Sequence, residues 1–397
     1  GGDIDIEDVS GGMRVVEAIT TAGNIRLASI DGPLDVVLAN AGGANATIDL
    51  QTFSEADLLV GQIVAAGRVT LMSSGAARDR DPAFVEINVM TSELVLVTVN
   101  GVATADNPLS VRADRVAGNV QDNGIFVTDE DGGLVIDRIG GSNGLSAVRG
   151  RITVTARSPL TVNADVVSPD AIELTAGETA DAPGFADDLT ISPGVRVEST
   201  GSTVSLLAGD DVILGAGAVV RSFGDLVVTV GSGDLDGGGT AVLDGALVST
   251  GSTAVLSIGD VTMGQVVASA GAAITSTQGS ILDGNGILPN LVANGRSVLS
   301  AARVIGLPSD SLEVQVSNGQ LVTNAAGAVD RVSVNLRGQL DPHERPFATL
   351  VPPGLVLFNN AVFGGDSVDV FESYTAERNI RSTGERDHGR PGFFTGS

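Results

Sequence analysis

Two short acidic segments carry the residue types and spacing that could bind a metal ion. Asp129 and Asp131 lie in the segment 128–133, Thr-Asp-Glu-Asp-Gly-Gly, and Asp234 and Asp236 lie in the segment 232–239, Ser-Gly-Asp-Leu-Asp-Gly-Gly-Gly. Carboxylates beside glycine suit Ca²⁺, and the second segment resembles the Gly- and Asp-rich calcium repeats of β-rolls. Neighbouring repeats lack these acids, so solvated turns are the favoured interpretation and calcium the alternative.

Catalytic chemistry has few residues to use. The 397-residue chain has no Cys, Lys or Trp, and its two histidines, His343 and His388, lie in charged stretches broken by Pro or Gly. Cysteine and lysine nucleophiles are therefore excluded, and a multi-histidine metal site is disfavoured. Paired carboxylates can cleave glycans, but we would expect aromatic platforms beside them. The sequence predicts a protein without catalytic residues or cofactor, with a polysaccharide-active enzyme as a weaker alternative.

Charge and hydropathy limit the partners. The 48 Asp and Glu residues against 22 Arg give a net charge of −26, which would repel nucleic acid. No apolar run approaches the roughly 20 residues that cross a bilayer. The chain begins GGDIDIEDVSGG, without an initiator methionine or a signal peptide. We therefore expect a processed or excised piece of something longer.

Short runs of alternating apolar and polar residues recur along the chain. Examples are Ile152–Thr155, Leu160–Val162 and Val332–Leu336, and most runs are bounded by Gly, Asn, Asp, Ser or Arg. This pattern predicts β-strands between tight turns. Ser54–Ala66 is the best helical candidate, but Gly61 and the strand-like run that follows favour a strand there as well.

The strands repeat at a short period. The phrase Val-x-Ser-x-Gly ends at Gly201, Gly224 and Gly271, and a variant with Leu in place of Val ends at Gly251. The intervals of 20 to 27 residues fit one coil of a parallel β-solenoid. About 16 coils of about 22 residues would form a rod on the order of 75 Å long. Tandem β-sandwiches are the alternative fold, but they usually carry more Tyr and Trp.

A longer repeat is also suggested by the sequence. Asn107–Val111 resembles both Gly32–Val36 and Asp310–Val314. Chance similarity in a chain of low complexity is an equally good explanation of these matches.

Three segments resemble passages of a known family. Gly209–Ala218, Arg149–Ala164 and, more weakly, Pro353–Asn360 followed by Gly364 and Gly365 are similar to parts of filamentous-haemagglutinin-type bacterial exoproteins. That family consists of giant adhesins built on right-handed β-helices. The resemblance implies a right-handed β-helix, secretion, adhesion and a structural role, and it brings no catalytic residues.

Composition divides the predicted solenoid into four parts. Residues 1–150 are expected to form coils with irregular loops, 151–305 regular coils, 306–365 irregular terminal coils, and 366–397 a cap or docking tail. The segments 76–82 and 341–346 are expected to be exposed loops. On a binding-module hypothesis, these loops would present a site for a ligand such as a surface glycan.

The two ends of the chain suggest head-to-tail assembly into a filament. Asp3, Asp5 and Glu7 alternate with isoleucine, so they share one face of a strand. We expect the tail to meet these acids on another copy, because arginine can hold a carboxylate with two hydrogen bonds. The tail residues assigned to this contact are Arg378, Arg381, Arg386, Arg390, Phe393 and Phe394. The favoured function is a non-catalytic filament subunit or adhesin shaft.

Overall fold

The computed structural model describes residues 1–81, 87–178, 187–233, 239–325, 332–336, 356–363 and 366–370. Within these ranges the secondary structure is strand and turn, without a helix. The all-β parallel solenoid prediction is therefore confirmed. Ser54–Ala66 is not helical, since a long strand begins at Leu58.

The strands are short and are numbered in chain order. The first ten are β1 (Ile4–Asp8), β2 (Met13–Val15), β3 (Ala18–Thr20), β4 (Ile25–Ser29), β5 (Leu34–Ala41), β6 (Thr47–Thr52), β7 (Leu58–Ser73), β8 (Ala77–Asp79), β9 (Val89–Thr98) and β10 (Leu109–Val120). The next fifteen are β11 (Ile125–Asp129), β12 (Leu134–Ile136), β13 (Arg138–Ile139), β14 (Ser142–Asn143), β15 (Leu145–Ala147), β16 (Ile152–Ala156), β17 (Leu160–Val162), β18 (Val166–Ser168), β19 (Ile172–Ala176), β20 (Leu189–Ile191), β21 (Arg196–Ser199), β22 (Val204–Ala208), β23 (Val212–Leu214), β24 (Val219–Ser222) and β25 (Leu226–Val230). The last twelve are β26 (Ala241–Ser249), β27 (Thr253–Ser257), β28 (Val261–Ala268), β29 (Ala272–Ser276), β30 (Ile281–Asp283), β31 (Leu291–Asn294), β32 (Ser297–Ala301), β33 (Leu312–Ser317), β34 (Leu321–Ala325), β35 (Val332–Leu336), β36 (Val356–Phe363) and β37 (Asp366–Val370).

Most strands pair in parallel with the equivalent strand one coil later, and the antiparallel pairs are β13 with β14 and β36 with β37. Val204 pairs with Leu226, for example, and Ile172 pairs with Val204. Paired residues are 18 to 32 positions apart, because some coils carry long turns. The described part makes about 13 turns, or about 60 Å of rod at the strand spacing. The expected 16 coils assumed about 22 residues per coil. The long turns raise the average coil length, so the expected number was too high.

In most strands whose side chains are described, alternate residues point into one continuous apolar core. In β22, Val204, Leu206 and Ala208 are buried, while Ser205 and Leu207 lie between them on the outer side. The largest fully buried side chains are Ile and Leu. This narrow core explains why a chain with 43% hydrophobic residues contains only 3% aromatic residues.

The Val-x-Ser-x-Gly phrase marks a stack of buried serines. Ser168, Ser199, Ser222 and Ser249 pair in register on successive coils and are almost completely buried. Ser222 and Ser249 each donate a hydrogen bond to the carbonyl of the glycine two residues later. The last phrase along the chain, which ends at Gly271, is out of register by one residue. Ser249 pairs with Ala268, so Ser269 is exposed.

Aspartate at the turns joins one coil to the next. Its carboxylate accepts a hydrogen bond from a backbone N–H of the following coil. Examples are Asp57 to Ala76 (2.8 Å), Asp211 to Thr240 (2.7 Å), Asp225 to Ser252 (2.8 Å) and Asp260 to Ser280 (2.7 Å). No described aspartate has positive φ, so these aspartates serve the turns as hydrogen-bond acceptors and not through an unusual backbone conformation.

The two sides of each coil differ in shape. One side is a straight strand, such as β6, and the other is a bent strand or two short strands, such as β5 or the pair β2 and β3. The bent strand of β7 turns at Gly61, where a Cβ would collide with the carbonyl oxygen of Val37. Each side stacks on the same side of the next coil.

The two sides exchange shapes at β10. The straight part of β10 pairs with two short strands, β12 through Arg115 and Val116, and β15 through Gly118–Val120. The straight strand β11 stacks instead on the opposite side, on Leu109–Val111. From β11 onward the straight strands therefore lie where the bent strands lay before.

Residues 57–113 and 260–316 are two copies of one structural unit. The first part of β7 reads LLVGQIVA and β28 reads VTMGQVVA, with the bend at Gly61 in one and Gly264 in the other. Each strand follows one of the capping aspartates Asp57 and Asp260, which are 203 residues apart. The resemblance between Asn107–Val111 and Asp310–Val314 belongs to this duplication. Gly32–Val36 lies in a different stack.

The stacking runs through the expected domain boundaries. Strand β11 pairs with β16 across residue 150, and β31 pairs with β33 across residue 305. The expected loop at 76–82 is wrong for 76–79, because Ala77–Asp79 forms β8 and Ala76 and Ala77 are buried. The segment 341–346 lies outside the described residues, as does 371–397.

Replacing Val228 by Asp should abolish stacking around β25. Val228 is fully buried between Leu206 and Val255, so an inserted charge should lower the free energy of unfolding by about 3 kcal/mol or more. The neighbouring Val227, which is 39% exposed, provides the control. Urea unfolding followed by circular dichroism should show a large loss for V228D and little change for V227D. Equal stability of the two variants would show that the strand faces are assigned wrongly.

Candidate functional site

The structure separates the two acids of the first calcium candidate. Asp129 points into the core and is completely buried, whereas Asp131 lies on the surface and pairs with Arg112 at 2.9 Å. The interpretation as a solvated turn is therefore wrong for Asp129. Sequence alternation could have given this result, because Ile125, Val127 and Asp129 share one face of β11.

Asp129 is a buried carboxyl at the level where the two sides exchange shapes. It stacks between Val111 and Ala156. Its Oδ1 accepts a hydrogen bond from the backbone N–H of Ala113 at 3.2 Å, while its Oδ2 is buried without a hydrogen bond. Burial raises the pKa of Asp129 to about 7, against the lowering effect of the Ala113 hydrogen bond. Nearby Asp131 and Glu130 add to the rise, and Arg112 opposes it.

The second calcium candidate, Asp234 and Asp236, lies outside the described residues. Among the residues that are described, no group of three or more acidic or histidine side chains is arranged to hold a metal ion. Calcium binding therefore stays a prediction for both segments.

The acids of the first strand face an arginine of the next coil. Asp5 and Glu7 pair with Arg26, at 2.9 and 3.4 Å. Asp3 accepts a hydrogen bond from the backbone N–H of Asn24 at 2.8 Å. The side chains of Asp5 and Glu7 are nevertheless 66% and 46% exposed, so they can still reach a second partner. The tail residues predicted to meet them lie outside the described residues.

A ladder of ion pairs follows the outer surface of four successive coils in the first half of the chain. Glu93 lies between Arg68, at 2.6 Å, and Arg115, which in turn contacts Asp137 at 3.2 Å. Successive coils supply successive charges, so the ladder ties β7, β9, β10 and the turn after β12 together. Other arginines among the described residues, such as Arg14, Arg78 and Arg149, also form ion pairs with acids of the same chain.

The straight strands from β11 onward present a nearly uncharged strip. The strip consists of the two outward positions of β11, β16, β19, β22, β25, β27, β29, β32 and β34. Glu173 is its one charged residue. One row of the strip holds Thr128, Thr155, Thr175, Leu207, Thr229, Leu256 and Thr275 in register. Thr128, Thr155 and Thr175 therefore stand on consecutive coils, one coil spacing apart. This strip was not identified from the sequence.

The chain matches no protein-family model, curated protein or solved structure. No described segment forms a helix long and apolar enough to cross a membrane. The fold defines the class of protein, a parallel β-solenoid. The resemblance to filamentous-haemagglutinin-type proteins stays an expectation.

The stability of the Asp129→Asn variant relative to the wild type should increase as the pH rises. The pKa of Asp129 is about 7 when folded against 3.8 as its ordinary value, so the folded state holds the proton more tightly. Stability is therefore lost as the pH rises from about 4 to about 7, by about 4 kcal/mol for a shift of this size. Asparagine stays neutral and should avoid this loss.

Urea unfolding of both proteins at pH 5 and pH 8 measures this effect. The advantage of D129N over the wild type should grow by about 2 kcal/mol or more between the two pH values. Asp131→Asn, which changes an exposed carboxylate two residues away, should show no comparable growth. A constant difference between D129N and the wild type would contradict a buried, titrating Asp129.

Proposed function

We propose that this chain is a non-catalytic shaft of a secreted structural protein, a filament subunit or adhesin stalk that assembles head to tail. The observation that carries the proposal is the continuous stack of about 13 turns. Each added coil lengthens such a rod by a fixed amount without changing its cross-section. An architecture of this kind is suited to spanning distance and to bearing surfaces along its length.

The duplicated unit supports the same proposal. The copies at residues 57–113 and 260–316 lie one after the other in a single stack, so duplication has extended the rod. The ion-pair ladder through Glu93 and the capping aspartates tie each coil to its neighbours. These contacts run along the axis, which is the direction in which a shaft is loaded.

Head-to-tail assembly is supported by the first strand. Asp5 and Glu7 remain accessible although they contact Arg26. Guanidinium groups of a second copy could therefore add to the same row of charges. Such a contact repeats in one direction and need not close, so it would propagate a filament.

Electron microscopy of the purified chain tests the shaft and the assembly separately. Residues 1–397 should form fibres, and truncation after Asp369 should leave separate rods about 60 Å long. Arg→Gln at Arg378, Arg381, Arg386 and Arg390 should also prevent fibres, whereas Arg→Gln at the solenoid residues Arg196 and Arg221 should not. Fibres of unchanged repeat from the truncated chain would place the contact elsewhere. Compact, isometric particles from every variant would overturn the shaft proposal itself.

The uncharged strip favours a second candidate function, the binding of a surface glycan. Its threonine hydroxyls can exchange hydrogen bonds with sugar hydroxyls, and its single charge leaves little electrostatic barrier to a neutral polymer.

A glycan array tests this second function. Binding by the wild type should be lost when Thr155 and Thr175, adjacent in the strip, are both replaced by Glu. The same replacement at Thr161 and Thr190, which are adjacent on the opposite side of the coils, should leave binding intact. Equal loss in both double variants, or no wild-type binding, would argue against a glycan site on the strip.

A further inference from the structure

The duplicated unit contains the same polar corner twice. In each copy an aspartate ends a short strand, Asp79 in β8 and Asp283 in β30. Its Oδ1 accepts the backbone N–H of the residue two positions later, which is Asp81 at 3.1 Å in one copy and Asn285 at 2.8 Å in the other. We call these sites the first corner and the second corner.

A buried asparagine completes each corner in the same way. Asn88 donates from Nδ2 to Oδ1 of Asp79 at 2.8 Å, and Asn290 donates to Oδ1 of Asp283 at 2.7 Å. Both asparagines are at least 95% buried. Their own Oδ1 atoms accept a backbone N–H from the next coil. The donors are Ser110 (3.0 Å) and Glu313 (2.8 Å).

The turn after each corner is also the same. Thr104 and Asn107 exchange backbone hydrogen bonds in the first copy, and Leu307 and Asp310 do so in the second. The residue just before each of these turns has positive φ, 58° at Ala103 and 64° at Gly306. The two turns thus place Asn107 and Asp310 at equivalent positions.

The corners differ at the residue that faces the aspartate. In the first corner Asn107 donates from Nδ2 to Oδ2 of Asp79 at 3.3 Å. In the second corner the equivalent turn places Asp310 at this position, beside Asp283. Oδ2 of Asp283 is buried and accepts no hydrogen bond. A carboxylate cannot donate, so Asp310 can take over the hydrogen bond of Asn107 only when it carries a proton.

Charges near the second corner do not relieve the pair. Neither Asp283 nor Asp310 forms an ion pair with an arginine of the described residues. Glu313, on β33, is the other titratable group at this corner. Desolvation in the turn, together with the charge and hydrogen bond of Asp283, raises the pKa of Asp310.

We propose that the second corner is a proton-dependent latch between β30 and β33. When Asp310 is protonated, it supplies the hydrogen bond that Asn107 supplies at every pH in the first corner. When both carboxyls are ionised, they repel each other and the turn 305–311 loosens. The latch is closed in acid and opens as the pH rises through the range above the ordinary aspartate value, because the folded state holds the proton more tightly.

Hydrogen exchange with mass spectrometry tests the latch, since both corners can be followed in the same molecule. Exchange is measured from pH 3.5 to 7.5 in buffer with EDTA and converted to protection factors that correct for the intrinsic effect of pH. Protection of 305–311 should fall about two- to fivefold as the pH rises, the range expected for a partly exposed charge pair. Protection of the equivalent turn 102–108 should stay constant.

Exchanging the two residues provides the decisive variants. Asp310→Asn copies the first corner and should remove the pH dependence of 305–311, while Asn107→Asp should create it at 102–108. Ser309→Ala, in the same turn but outside the carboxyl pair, should behave as the wild type does. A parallel pH response of both corners in the wild type, or an unchanged response in D310N, would overturn the proposal. Neither result bears on whether the chain forms a filament.

Discussion

Parallel backbone pairing between successive coils is the interaction on which the remaining structure depends. It fixes the distance between equivalent residues at about 4.8 Å, so each side chain stacks on its counterpart from the coils on either side. Only small, regular side chains fill a core built in this way. Most of the fully buried positions are therefore Ile, Leu, Val and Ala, with serine at several turns, and Met263, Asp129 and Asn290 are exceptions. Coil length is free to vary at the turns, because pairing constrains the strands alone.

The same constraint explains much of the chain's acidity. A turn in a solenoid exposes backbone N–H groups that have no strand partner, and a short carboxylate reaches the one in the coil beyond. Aspartate at these positions satisfies a donor and links two coils with one side chain. Arginine on the outer rows offsets some of the charge, as in the ladder through Glu93. Acidity in this protein is thus partly structural, and a basic partner is not required to explain it.

The duplicated unit shows how small changes can alter one position in a repeated fold. Gly61 and Gly264 keep the bend, Asp57 and Asp260 keep the cap, and Asn88 and Asn290 keep the buried bridge. The amide at Asn107 has become a carboxyl at Asp310. A stack tolerates this exchange because the turn is at the edge of the coil, where water can compensate the cost.

The sequence by itself determined the fold class, since alternation, short repeats and few aromatic residues all follow from a narrow stack of strands. It also indicated that the acids of the first strand share one face, and Arg26 of the next coil pairs with two of them. Only the tertiary structure decided which charges meet on successive coils, as the ladder through Glu93 shows. It also decided which coils are equivalent, because the matching segments near 57 and 260 are more than 200 residues apart. The equivalence of two such distant segments depends on how many residues each intervening turn contains, and local residue patterns do not record that number.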